Sequence, residues 1–168
     1  VGVSLTYDHN VVSPIDSILN FGARPASYLF ITMLGFYILL LVLGVSPWVA
    51  LVGAVGYAFS TYFFIIVGAG HNAKLHAISY MAPMVAGVLL AYKGRYLAGA
   101  GLFALSFALS LATGHVQITY YTFFIILAVL VWRLIELQRE KKLRTFVWAS
   151  AILLVGGVMG VGANFNRL

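Results

Sequence analysis

Hydrophobic residues occur along this chain in long, nearly uninterrupted runs. The runs show neither the alternation of polar and apolar residues typical of a half-buried strand nor the heptad repeat of a coiled coil. A membrane-spanning helix needs about 20 mainly apolar residues, because each residue adds about 1.5 Å to its length. Six runs meet this requirement, at about 25–44, 47–68, 75–92, 96–113, 116–134 and 145–163. The pattern therefore predicts an all-α, polytopic transmembrane helical bundle with about six spans.

Glycine and proline predict how these spans end and pack. Gly44 should end the first span, and Pro83 should kink the third. Beyond the fifth span the chain should continue as a helix, with Glu140 and Arg144 in the favourable i,i+4 order. Small residues allow helices in lipid to approach closely. We expect such contacts at Gly53, Gly56, Gly156 and Gly160.

Composition supports a membrane protein and excludes several other classes. Hydrophobic residues make up 62% of the chain and charged residues 8%, whereas soluble domains contain about half and about a quarter, respectively. An ordinary soluble domain, a disordered tail and a nucleic-acid-binding basic domain are therefore excluded. The chain contains no cysteine, so it forms no disulfide or thiolate metal site. It begins with Val and lacks a signal-peptide pattern, so we expect an internal piece of a longer polypeptide.

The basic residues predict the orientation of the bundle. Seven of the ten Lys and Arg residues lie in segments 93–95 and 133–144, which an alternating topology places on one side. Cytoplasmic loops are enriched in Lys and Arg, so this side is expected to be cytoplasmic. Residues 1–24 then form an extracytoplasmic segment, and residues 25–168 form the transmembrane bundle.

A short helix is predicted before the first span. Ser13-Pro14-Ile15-Asp16 has the form of a capping box with proline at the first helical position. Ile15, Ile18 and Leu19 would share one face, and Gly22 would end the helix. We expect an amphipathic helix that lies on the outer membrane surface.

Polar side chains gather in two turns at the predicted outer mouths of helix hairpins. Each turn begins with Gly-His, and the polar residues are His71, Asn72, Lys74 and His76 in the first, and His115, Gln117, Tyr120 and Tyr121 in the second. All four histidines and two of the four acids, Asp8 and Asp16, fall on this side. The intervening spans lack the carboxylates of a usual proton or ion path.

This arrangement predicts a phosphate site on the outer side. His71 and Lys74 are three residues apart, so they share one face at the start of a helix. Free backbone N–H groups and a nearby cation favour an anion there. We expect His115 to join this site, and we predict that the two turns meet in space. A sugar would contact Gln117, Tyr120 and Tyr121. The alternative is that the lysine snorkels and the tyrosines belong to an interfacial belt.

No residue pattern indicates a metal or another cofactor. His71 and His76 are five residues apart, not the four that place two ligands on one helical face. A metal could still be held by a pair of His71 and His115 with Asp8 or Asp16. No nucleophile–base arrangement, phosphate loop or dinucleotide motif is present.

The two outer motifs also resemble a known family. Gly-His-Asn-Ala-Lys at 70–74, Met-Ala-Pro at 81–83 and His-Val-Gln-Ile-Thr-Tyr-Tyr at 115–121 resemble the YfhO family of bacterial membrane proteins, in the version found in Bacteroidetes. Segments 35–40 and 58–63 fit the same family, so the resemblance covers nearly the whole chain.

The resemblance implies a GT-C-like fold and a glycosyltransferase of the bacterial plasma membrane. Such an enzyme takes a sugar from a polyprenyl-phosphate donor at the outer face and decorates a cell-surface polymer. The acidic catalytic residue of GT-C proteins usually lies in a first large outer loop. Asp8 and Asp16 fall in that region, although no motif assigns the role to either. The apolar composition predicts no nucleic-acid partner.

Two other functions compete with this one. A transporter or flippase of lipid-linked sugars would use the same polar rim, but it would also need a polar passage through the membrane. A non-catalytic structural membrane module would need neither the rim nor a passage.

Overall fold

All regular secondary structure in the described part of the chain is α-helical. The computed structural model describes residues 11–21 and 23–165, so Asp8 and Gly22 lie outside it. The helices in these ranges are α1 (Ser13–Asn20), α2 (Ala26–Leu43), α3 (Pro47–Ala58), α4 (Thr61–Gly68), α5 (Asn72–Ser79), α6 (Met81–Tyr92), α7 (Tyr96–Ala112), α8 (Val116–Arg139) and α9 (Leu143–Gly162). No strand occurs among these residues, which confirms the all-α prediction.

Five helical segments are long and apolar enough to cross a membrane. They are Ala26–Leu43, Pro47–Gly68, Asn72–Tyr92, Val116–Arg139 and Leu143–Gly162. The chain therefore fits a multi-pass membrane protein. Helix α7 is also apolar but has only 17 residues, so the sixth span stays a prediction.

Helix α7 nevertheless runs between two ends of the bundle that differ in chemistry. The basic end contains the loops 93–95 and 140–142, and Tyr96 at the start of α7 lines a surface pocket there with Arg144. The histidine end contains the turns 69–71 and 113–115, and Ala112 at the other end of α7 packs near Val12.

Two of the five long segments are interrupted, and proline explains one interruption. The segment Asn72–Tyr92 breaks at Tyr80, between α5 and α6. Pro83 has no N–H to bond the carbonyl of Ser79, and its ring crowds the preceding turn. The kink predicted from Pro83 is therefore confirmed. Gly35 of α2 makes room for the ring, because a Cβ at Gly35 would lie 2.6 Å from Pro83 Cδ.

Helices α6 and α7 pack backbone against backbone. A Cβ at Gly87 would lie 2.5 Å from the backbone N of Phe103, and a Cβ at Gly99 would lie 2.4 Å from the backbone N of Ala91. Real Cβ atoms do not approach backbone so closely, so only glycine permits this contact. Neither glycine stands out in the sequence, because each lies within an apolar run without a GxxxG partner.

The glycine pair of α9 packs against α7, as predicted. A Cβ at Gly156 would lie 3.2 Å from the carbonyl oxygen of Ala100, and one at Gly160 would lie 2.7 Å from Phe107 Cδ1. The prediction is wrong for Gly56, where no described atom lies within 4 Å of the Cβ position. Gly56 faces outward on α3, where helix packing makes no demand on its size.

The boundaries of the other elements agree with most expectations. Gly44 ends α2 in the left-handed conformation, at φ +91°. Helix α8 continues to Arg139, which confirms the predicted extension. The predicted Glu140–Arg144 pair is wrong, because α8 ends before Glu140 and the Glu140 carboxylate pairs with Lys142 Nζ at 2.9 Å.

Helix α1 divides the apolar face predicted for Ile15, Ile18 and Leu19. Ile15 and Ile18 are exposed, whereas Asn20 is buried and Leu19 packs against the core. The exposed isoleucines suit a helix that lies at a membrane surface. The predicted capping box is wrong, because Val12 rather than Ser13 occupies the N-cap position. The Asp16 carboxylate instead bonds side chains of α5 and its C-cap.

The packing of α6 on α7 generates a stability prediction. We expect Gly87→Ala to lower the free energy of unfolding by about 1–3 kcal/mol, because the added methyl group pushes the two backbones apart. Thermal unfolding in detergent, followed by circular dichroism, measures the change. Gly101→Ala on α7 is the matched control, since nothing described lies within 4 Å of its Cβ position. Equal stability of the two variants would contradict this account of the contact.

Candidate functional site

The two Gly-His turns line one cleft at the histidine end. The cleft has a volume of about 300 Å³, and its walls are His71, Lys74, His115, Gln117, Ile118 and Tyr121. The prediction that the two turns meet in space is therefore confirmed. The cleft brings together side chains of α5 and α8, which are separated by about 40 residues of sequence.

Each turn directs a helix N-terminus toward the cleft. Gly70 and Gly114 have φ values of +74° and +75°, which residues with a Cβ rarely adopt. The chain then starts a new helix, with His71 as the N-cap of α5 and His115 as the N-cap of α8. The first backbone N–H groups of a helix have no partner within the helix and carry partial positive charge. The repeated turn therefore creates two anion-favouring helix ends beside each other.

The side chains of the cleft add to this positive potential. Lys74 is partly buried, and its Nζ lies 5.9 Å from the centroid of the Tyr62 ring. No acidic side chain is among the described residues that line the cleft. Lys74 therefore has its charge available for an anionic ligand.

Of the residues expected to contact a sugar, two line the cleft. Gln117 Nε2 donates a hydrogen bond to Tyr121 Oη at 2.7 Å, so the two side chains form one polar edge. Tyr120 is exposed and packs edge-on against Phe124, with ring centroids 4.9 Å apart. Tyr120 is not among the residues that line the cleft.

Asp16 belongs to a second polar cluster at the histidine end. Its Oδ1 accepts hydrogen bonds from His76 Nε2 at 2.8 Å and from Tyr80 Oη at 3.0 Å. Its Oδ2 accepts one from Asn20 Nδ2 at 2.9 Å. The Tyr28 ring stacks on His76 with centroids 4.3 Å apart. These contacts, which we call the Asp16 cluster, hold α1 against α5 and α2.

The Asp16 carboxylate is stabilised as an anion. Burial raises its pKa, but the hydrogen bond and charge of His76, the hydrogen bond from Tyr80 and the charge of Arg24 outweigh this, so the pKa lies below its ordinary value of 3.8. A carboxylate with a lowered pKa and both oxygens bonded is a weak proton acceptor. We infer that Asp16 anchors α1 to the bundle.

The Asp16 cluster and the cleft lie on different faces of α5. Lys74 and His76 are two residues apart, which separates their directions by about 200° around a helix. Asp16 is accordingly absent from the residues that line the cleft. A metal set of His71, His115 and Asp16 is therefore not assembled. No group of three His, Cys, Asp or Glu side chains positioned for a metal occurs within residues 11–21 and 23–165.

Sequence reasoning missed the partners of Asp16. His76 and Tyr80 are spaced i,i+4, which signals a shared helical face. However, the break at Tyr80 and the distance of 64 residues between Asp16 and Tyr80 conceal the contact in the sequence. Only the packing of α1 against α5 brings the carboxylate to them.

Comparisons of the chain with family models, with curated proteins and with solved structures found no match. The chemistry of the cleft and the resemblance described above are therefore the basis for a functional proposal.

Cross-linking can test whether the two turns lie close together. The chain has no native cysteine, so only the introduced cysteines can react. We expect cysteines at 71 and 115 to be joined by a short bifunctional thiol reagent in membranes, because both positions line one cleft. Cysteines at 71 and 95 serve as the control, since they lie at opposite ends of the bundle. If neither pair is cross-linked although every introduced cysteine reacts with a thiol reagent, positions 71 and 115 do not line one cleft.

The anchoring role of Asp16 gives a pH-dependent prediction. We expect Asp16→Asn to lower the free energy of unfolding by about 1–3 kcal/mol at neutral pH, because buried partners lose a charged acceptor. Because the folded pKa lies below 3.8, the stabilisation is complete above that value and is lost as pH falls through the folded pKa. Thermal unfolding at pH 7 and pH 3 should thus show wild type and variant converging in acid. An equal difference at both pH values would argue against this role.

Proposed function

We propose that the cleft binds the phosphate of a polyprenyl-phosphate sugar donor, within a YfhO-like glycosyltransferase of the GT-C type. The protein would act at the outer face of the bacterial plasma membrane on a cell-surface polymer. In this proposal the histidine end is extracytoplasmic and the basic end, with segments 93–95 and 133–144, is cytoplasmic. The excess of Lys and Arg in those segments supports this orientation.

One observation carries the proposal. Lys74, His71 and His115 surround a single cleft into which the N-termini of α5 and α8 both open. Backbone N–H groups, a helix dipole and a cation each favour a phosphate, and here they converge on one place. The cleft also lies at the end of apolar helices, where a phosphate linked to a lipid tail would be found.

The cleft would assist transfer by stabilising the leaving group. The acceptor hydroxyl oxygen bonds the anomeric carbon, the bond from that carbon to the phosphate oxygen breaks, and the phosphate keeps the electron pair. Lys74 and the helix N-termini would stabilise the charge that develops on this oxygen. Gln117 and Tyr121 would hydrogen-bond the sugar from the polar edge of the cleft.

A general base must remove the proton of the acceptor hydroxyl. The engaged Asp16 is poorly suited to this step, and Asp8 lies outside the described residues. We therefore assign only donor binding to this part of the chain.

The polar groups favour a donor site over a passage for a lipid-linked sugar. Buried hydroxyl groups within the spans are already bonded. Thr32 Oγ1 donates to the Tyr28 carbonyl of its own helix at 2.7 Å, and Ser110 Oγ bonds Thr119 Oγ1 of the next helix at 2.7 Å. A flippase would need such groups free along a continuous path.

The proposal predicts that Lys74→Ala weakens donor binding and catalysis. Loss of one preorganised contact to a developing anion commonly lowers the rate by about 10²–10³-fold. Native mass spectrometry of the full-length protein, purified from its own membranes, should show a bound polyprenyl-phosphate species that Lys74→Ala and His71→Ala lose. A transfer assay with that species then measures the rate.

Lys141→Ala is the matched control, because Lys141 is an exposed lysine in the loop at the basic end. It should retain both the bound lipid and the rate. Retention of the lipid by all variants would remove the site assignment. Full transfer activity in Lys74→Ala with normal expression would exclude the donor-phosphate role of this lysine.

A further inference from the structure

A second charged pocket lies at the basic end, far from the cleft. It has a volume of about 330 Å³, and its charged lining residues are Lys93, Arg133, Glu140 and Lys142. Three cations therefore face one acid. Lys142 pairs with Glu140 at 2.9 Å and Arg133 pairs with Glu136, which leaves Lys93 as the net positive charge of the pocket.

The Arg133 side chain is held in place, but not all of its N–H groups have a hydrogen-bond partner. It is only 11% exposed, and its Nη2 donates a hydrogen bond to the Tyr92 carbonyl at 3.1 Å. Its Nη1 pairs with Glu136. Its Nε has no hydrogen-bond partner among the described residues and is shielded from solvent. Nη1 and Nη2 each carry two N–H groups, so each keeps one for a further acceptor.

Lys93 is held at the same pocket by the end of another helix. Its Nζ donates to the Val42 carbonyl in the last turn of α2, where a cation is favoured by the helix dipole. An ammonium group has three N–H donors, so it can bond a second acceptor as well. The two cations thus come from α8 and from the C-cap of α6 and are oriented by backbone carbonyls.

An apolar groove begins where this pocket ends. The groove has a volume of about 650 Å³, and its walls include Val88, Phe103, Phe123, Ile126, Leu130 and Phe146. Tyr92 lines both the groove and the charged pocket. Along α8, Ile126, Leu130 and Arg133 follow at intervals of four and three residues, which places them on one helical face. The apolar groove and the cationic pocket are therefore neighbours that share Tyr92.

We propose that this surface binds an anionic phospholipid, with the phosphate at Arg133 and Lys93 and one acyl chain in the groove. A guanidinium forms charge-assisted hydrogen bonds with phosphate oxygens, and the remaining N–H groups of Arg133 Nη1 and Nη2 would supply them. The charge of the pocket selects an anionic headgroup, and the length of apolar wall below it selects a lipid over a free anion. Trp132, whose ring centroid lies 5.6 Å from Arg133 Cζ, belongs to a residue type enriched at membrane interfaces.

This proposal does not depend on the function assigned to the cleft. It concerns the opposite end of the bundle and a lipid that carries no sugar. Failure of either proposal leaves the other unaffected.

The test is native mass spectrometry of the full-length protein titrated with dioleoyl phosphatidylglycerol and, separately, with dioleoyl phosphatidylethanolamine. We expect retention of the anionic lipid over the zwitterionic one. Arg133→Gln should weaken binding of phosphatidylglycerol by roughly 10- to 100-fold, because a charge-assisted hydrogen-bond set is lost. Arg139→Gln is the matched control, since Arg139 is exposed on the same helix and does not line the pocket.

Two further variants and one control keep the test decisive. Lys93→Gln removes the second cation proposed to hold the phosphate, and it should weaken binding of phosphatidylglycerol even if Arg133→Gln does not fold. Gly157→Leu fills the groove and should weaken binding of the same lipid, whereas Gly101→Leu lies outside the groove and should not. Circular dichroism checks that each variant is folded.

Three results would overturn the proposal. The first is equal retention of the two lipids. The second is equal weakening by Arg133→Gln and Arg139→Gln. The third is displacement of phosphatidylglycerol by glycerol phosphate at similar concentration, which would indicate a site for a free anion.

Discussion

Close contact between the backbones of α6 and α7 determines where both ends of this bundle lie. Lipid is as apolar as the helix surfaces, so helices in a membrane associate through close packing rather than through the hydrophobic effect. Gly87 and Gly99 provide that packing, since any side chain there would overlap the opposing backbone. Helix α7 in turn receives α9 at Gly156 and Gly160. With α6, α7 and α9 fixed in this way, the polar residues at their ends acquire defined neighbours.

Helix α5 serves two polar sites at the histidine end. It presents Lys74 to the cleft and His76 to Asp16 on different faces, because two residues turn a helix by about 200°. The helix is interrupted at Tyr80, whose hydroxyl group also bonds Asp16. Each polar group near the membrane needs a partner, because lipid offers none. The Asp16 cluster satisfies its members internally, and the cleft retains charge for a ligand.

The two ends are both cationic, but they achieve this by different means. At the histidine end, backbone N–H groups of two helices supply much of the positive potential, and Lys74 adds one full charge. At the basic end, Arg133 and Lys93 supply it, and backbone carbonyls of Tyr92 and Val42 hold them in place. The first arrangement leaves an open polar cleft, and the second opens into an apolar groove. The chemistry at each end thus suits a different kind of anionic lipid.

The sequence by itself determined the helical class, most helix boundaries, the kink at Pro83 and the grouping of polar residues in two turns. These features depend on local rules: apolar runs, glycine and proline positions and the spacing of side chains on one helix. It also predicted the meeting of the two Gly-His turns. Only the tertiary structure decided that Asp16 bonds His76 and Tyr80, that Gly87 and Gly99 carry the central contact, and that Gly56 carries none. Those outcomes depend on which helices become neighbours, and an apolar sequence with nearly uniform surfaces does not specify that choice locally.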